Sequence, residues 1–127
     1  MRALLVSVAL LVALSAVPAP AAALSSCAST WTGSGSCTFV CDDVNLYIRG
    51  YAQNAGATAS VTVTAECGLV AITGVFVPIQ TLTCSASGPG SATCFTSAPY
   101  AFFPTPLVGM CTVSGSAGGA YACVSAP

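Results

Sequence analysis

The chain has 127 residues, enough for one domain, with eight cysteines, no histidine, two basic residues and three acidic ones. That inventory leaves little for acid–base, metal or phosphate chemistry. It also excludes nucleic acids and anionic membranes as partners, because both need several Lys or Arg side chains against the phosphates.

Met1-Arg2 gives a short positive start, residues 3–17 are apolar apart from Ser7 and Ser15, and residues 18–23 supply the small side chains that signal peptidase reads. Residues 1–23 are therefore expected to be a cleaved secretory signal peptide, followed by a single β domain over 24–127. An apolar run of about 15 residues falls short of the roughly 20 that span a hydrocarbon core, so no transmembrane helix is expected in the mature chain. Leu24-Ser25-Ser26-Cys27 resembles the lipobox of bacterial lipoproteins, whose cysteine is lipidated. Lipidation of Cys27 would leave seven thiols, an odd number for an exported chain, so the even count favours an unlipidated product.

Cys27, Cys37, Cys41, Cys67, Cys84, Cys94, Cys111 and Cys123, with no C-x-x-C pair and no histidine, read as four disulfides rather than metal ligands. After cleavage the ionisable acids and bases are Asp42, Asp43, Arg49 and Glu66, a net charge of −2, and residues 67–127 carry no charge at all. The hydroxyls of 26 Ser and Thr residues must then keep the surface wet. So weak a repulsion between copies also fits a protein that self-assembles or is covered by neighbours.

Residues 38–40 suit a strand, in which Cys37 and Cys41 would lie about 13 Å apart and could not bridge each other. Val44, Leu46 and Ile48 alternate with Asn45, Tyr47 and Arg49, and Gly50 or residues 54–56 offer a turn. Ala59, Val61, Val63, Ala65 and Cys67 fall on one face of the next strand, with Thr58, Ser60, Thr62, Thr64 and Glu66 on the other. Further strands are predicted over 69–73, 75–77 and 79–85, broken by Gly74 and Pro78. Residues 83–86 and 92–95 flank Ser87-Gly88-Pro89-Gly90-Ser91, which suggests a hairpin with Cys84 opposite Cys94. Cys111 and Cys123 are likewise equidistant from Ala117, and these two pairs are the ones expected among 105 possible connectivities.

Seven or eight short strands with regular turn signals and no helical period predict an all-β fold, a small disulfide-rich antiparallel β-sandwich or barrel. Gly119-Ala120-Tyr121-Ala122-Cys123 resembles the G-x-Y-x-C run of immunoglobulin-like domains. The resemblance implies an immunoglobulin-like sandwich in which the tyrosine hydroxyl closes a corner onto backbone. The chain departs from that family in having no tryptophan between Cys67 and Cys123 and only four residues after Cys123.

Asp42, Asp43 and Asn45 fall short of the six or more oxygens of a calcium site and read as a solvated turn. Nothing in the sequence brings Glu66 to those acids as a glycosidase pair, and no serine has a histidine or lysine to activate it. No catalytic residue, metal or cofactor is expected. Paired threonines at 62/64 and 81/83 read as outward strand residues. The irregular stretch 98–107 alternates Pro99, Pro104 and Pro106 with Tyr100, Phe102 and Phe103. It is a candidate binding loop, unless it folds back to plug the open end of the fold; Trp31 is a second aromatic candidate.

The expectation is a secreted protein, extracellular or at the cell surface, with no enzymatic activity and a structural or adhesive role toward a protein or carbohydrate partner. The alternative is a soluble inhibitor or toxin-like binder that uses the aromatic, proline-rich loop. Three carboxylates and no histidine predict a thermal midpoint nearly independent of pH between about 3 and 9. Melting curves across that range test it, and a steep slope anywhere within it would contradict it.

Overall fold

The computed structural model describes residues 25–127; Leu24 and the expected signal peptide, residues 1–23, lie outside the described residues. The described chain runs through four long strands, β1 (Ser25–Cys41), β2 (Asn45–Val70), β3 (Phe76–Pro99) and β4 (Leu107–Ala126). They form one antiparallel sheet in the order β1-β4-β2-β3. The outermost strands β1 and β3 do not pair with each other, so the sheet is open and is not a closed barrel. Among the described residues, no helix is long and apolar enough to cross a membrane.

The seven or eight short strands expected from turn signals are instead four long ones, each bent once near its middle. Each strand carries one left-handed residue at its bend: Gly33 in β1, Gly56 in β2, Gly90 in β3 and Ala117 in β4. The ladders shift register beside these residues, between Thr32 and Ser34 in β1 and between Gln53 and Thr58 in β2. Extra residues that bulge from a ladder sharpen its twist and let a strand turn a corner.

The disulfides show how far the corner turns. Ten residues of extended strand would span about 33 Å. The Cα atoms of Cys27 and Cys37, both in β1, are 6.0 Å apart, and those of Cys84 and Cys94, both in β3, are 5.7 Å apart. Cys111 and Cys123, both in β4, are 6.0 Å apart. Each of these strands therefore doubles back, and the sheet as a whole is folded across its width so that its two halves face each other. Cys41–Cys67 ties the end of β1 to β2, two strands that are not sheet neighbours.

Cys84–Cys94 and Cys111–Cys123 are the pairs that sequence symmetry suggested, but no hairpin brings them together. On either side of its bend β3 keeps the same neighbour, with Ser91 opposite Gln53 and Pro89 opposite Thr58 of β2. The immunoglobulin-like topology implied by residues 119–123 is likewise replaced. Cys123 bonds within its own strand, and one sheet stands where that topology needs two.

The core lies between the facing halves. Leu46, Ile48 and Ala52 come from the first arm of β2, and Ala59, Val61, Val63, Ala65 and Cys67 from the second; all are buried. The latter five are the face that alternation assigned to the interior. Close approach of the halves requires Gly50, whose added methyl would collide with Val63 and lie 2.8 Å from Cγ2 of Val61. Near the bend Trp31 is 5% exposed, and its Nε1 donates to the Tyr51 carbonyl at 3.1 Å. Gly115 leaves room for that indole, because a methyl there would sit 3.0 Å from Cη2 of Trp31.

Gly50→Ala is expected to lower stability by about 1–3 kcal/mol through overpacking, read as a shift in denaturation midpoint under non-reducing conditions. An unchanged midpoint would mean that the two halves are not in contact at this rung.

Candidate functional site

Because every strand bends at the same place, the strand ends and the turns between strands gather at the opposite end of the molecule. Residues 42–44, 71–75 and 100–106 lie there, together with Ser25 and the C-terminal residues. Hydrogen bonds knit the two halves at this open end. Ser125 Oγ accepts from the backbone N–H groups of Asp42 and Asp43 at 3.1 and 2.9 Å, and Ser25 Oγ accepts from that of Val40 at 2.8 Å. The Gln80 amide donates to the Pro99 carbonyl at 2.9 Å and accepts from Ala101 N–H at 3.0 Å.

Tyr100 and its loop neighbours separate by environment. Tyr100 is 4% exposed; its N–H donates to the Val44 carbonyl and its hydroxyl to the Thr105 carbonyl at 2.6 Å, so it closes the core. Phe102 and Phe103 remain 39% and 50% exposed, with Phe102 edge-on to the Tyr100 ring at a centroid separation of 6.1 Å. Trp31 belongs to the core near the bend and is remote from this loop in the strand register. The stretch 98–107 thus both plugs the end and exposes two phenylalanines.

A larger apolar feature lies in the β2–β3 turn. Leu69, Val70, Val75, Val77 and Ile79 are exposed, and Ile72 at the tip is fully so. This tip extends past β4, whose pairing with β2 stops at Gly68 opposite Val108. Val40, Val44 and Val108 add exposed aliphatic surface beside it. Of the exposed large apolar residues among those described, only Tyr51 and Phe95 sit well away from this end. In sequence the turn is hidden, because Gly74 and Pro78 divide its residues among three short predicted strands. The signal was present: residues 69–77 are nearly all apolar and lack the polar alternation of a strand with one wet face.

The acidic side chains lie in the β1–β2 turn and on β2. Asp43 Oδ1 accepts from Val44 N–H at 2.7 Å, which fits the residues of a tight turn, and Asp42 Oδ1 is buried without a partner. Glu66 stands on β2 opposite Thr81 and Met110, next to Cys67, whose bridge runs to Cys41 beside Asp42. Arg49 lines a shallow depression of about 620 Å³ with Tyr51, Thr30 and Thr93. Sulfurs of Cys27, Cys37 and Cys111 lie within 4.8 Å of one another because Cys27–Cys37 and Cys111–Cys123 stand side by side. A thiolate is what binds a metal, and all eight cysteines are in disulfides. Cys27 for the same reason has no thiol to lipidate, and four disulfides indicate an oxidising environment.

No protein-family model, no curated protein and no solved structure matches the chain.

Burial, and secondarily the charge of Asp42, raise the Tyr100 phenol above its ordinary value of about 10. Above pH 10 the unfolded chain releases this proton while the folded one still holds it. Its contribution is therefore complete below about pH 10 and is lost as pH rises toward the folded value. Tyr100→Phe should flatten that alkaline decline while lowering stability at neutral pH by about 1 kcal/mol through the lost bond to Thr105. Melting curves from pH 8 to 11 check this, and equal alkaline slopes in both proteins would assign the decline to another group.

Proposed function

We propose that this is a secreted, non-catalytic structural or adhesive protein, extracellular or at the cell surface, that holds its partner through the apolar open end. The two halves of the folded sheet then serve as the layers of a small sandwich, with the disulfides reinforcing its core. The observation that carries the reading is the gathering of exposed aliphatic and aromatic side chains at one end, around Ile72 and Phe103, of a body held by four disulfides. Contiguous exposed apolar surface of this kind marks interaction sites. Among the described residues that end holds Asp42 and Asp43 and no Lys or Arg, which favours a protein face or the apolar face of a carbohydrate over a nucleic acid or anionic lipid.

The exposure of Phe102 and Phe103 also supports a second reading, a soluble inhibitor or toxin-like binder that uses the aromatic loop. Cell fractionation distinguishes the two. A surface component stays with the cells or in large assemblies, and an inhibitor collects as free monomer in the medium. Ile72→Ser combined with Phe103→Ser should move the protein from cells to medium while changing its melting temperature little, since Ile72 is fully exposed and Phe103 half exposed. Wild-type protein found wholly in the medium as monomer would overturn the leading reading.

A further inference from the structure

Among the described residues the two outer strands present long edges that pair with no other strand, protected only by the bulge of β1 and the three prolines of β3. Edge strands are commonly blunted by lysines, prolines, bulges or short length. Here β1 has 17 residues and β3 has 24, and neither contains a charged residue. β1 has no proline. Those of β3 stand at its register shift (Pro78), beside its bend (Pro89) and at its last residue (Pro99), leaving 79–88 and 90–98 without one.

The backbone of both edges can be oriented. Proline has no N–H and sits in a sheet where no ladder bond is required of it, so Pro89 faces away from β2. Antiparallel alternation then puts the N–H and C=O groups of Thr81, Thr83, Ser85 and Ser87 on the same outward side. On β1 the N–H of Val40 points away from β4, since it donates to Ser25 Oγ. Alternation gives Thr38 and Ser36 the same outward direction.

Direction and shape also agree between the two edges. Four strands, all antiparallel, leave β1 and β3 running oppositely, so β1 of a copy displaced along the sheet would lie antiparallel to β3. Both edges double back at a glycine, Gly33 and Gly90, and therefore have the same folded outline. Arms 25–32 and 34–41 of β1 would face arms 91–99 and 76–89 of β3, like half beside like half. A two-fold pairing of β3 with itself would instead set its long arm against its short one.

We propose that copies of this chain join head to tail through backbone hydrogen bonds, β3 of one copy against β1 of the next, and continue the folded sheet into a filament. A join whose two faces differ closes into a ring only where its rotation completes a full turn, and otherwise extends without limit. Such a filament carries every open end along the same side. The proposal stands on the strand edges and is independent of what the open end binds.

The test uses the oxidised chain, with mass followed by sedimentation against concentration and filaments sought by electron microscopy. Wild type should grow with concentration. Ser36→Lys with Thr38→Lys blocks β1, and Thr81→Lys with Ser87→Lys blocks β3; all four side chains are exposed. Each variant alone should be monomeric, and an equimolar mixture should form a one-to-one dimer with twice the monomer mass and no larger species, because each contributes the edge the other lacks. Wild type that stays monomeric at several hundred micromolar, or a blocked variant that dimerises alone through a two-fold join, would overturn the proposal. Hydrogen exchange of wild type supplies a reading that needs no variant: amides of β1 and β3 should slow together as concentration rises, and unchanged exchange would refute the join. Ile72→Ser with Phe103→Ser should leave assembly intact, so failure of the open-end reading and failure of this one are separable.

Discussion

Disulfides within single strands are the constraint on which the rest of this structure depends. A bridge between neighbouring strands would pin a ladder that hydrogen bonds already hold. Cys27–Cys37, Cys84–Cys94 and Cys111–Cys123 instead join two points of one strand that would otherwise lie far apart. They therefore stabilise the fold of the sheet more than its pairing. In the chain-entropy view a closed loop of about ten residues contributes on the order of 2–3 kcal/mol, and three such loops act on the same crease. A chain with few charges and a thin core needs that help, because net stabilities are only about 5–15 kcal/mol.

The crease also explains the side chains around it. Facing halves separated by the length of a disulfide leave room for small residues, so Gly50 lies over Val61 and Val63 where a larger side chain would collide. The one tryptophan fits because glycines yield to it. The open end collects what the crease excludes: the strand termini, the turns and the exposed aliphatic residues. Structure and candidate function thus follow from one geometric choice.

Much of this was legible in the sequence, and the rest was hidden for physical reasons. Alternation over residues 59–67 identified a buried face because a strand with one wet side must alternate, and the even cysteine count identified disulfides. The bends were not legible. Ser87-Gly88-Pro89-Gly90-Ser91 has the chemistry of a hairpin turn, and that chemistry is the same whether the chain then pairs with itself or crosses a crease and keeps its old neighbour. Only the long-range ladder to β2 decides. Trp31 lies in a Ser, Thr and Gly context that reads as solvent, and its burial depends on Gly115, more than eighty residues away. The exposed aliphatic tip at Ile72 was obscured because apolar residues there read as core strand.

Arg49 has one last implication. It is the only Arg or Lys among the described residues, so proteases that cut after basic residues find a single peptide bond to attack there. That bond lies in β2, hydrogen-bonded to β3 on one side and β4 on the other, where a protease cleft cannot draw it out as an extended substrate. Were it cut, Cys41 and Cys67 would still join the two pieces. A shortage of cations thus makes the folded chain a poor meal for trypsin-like digestion.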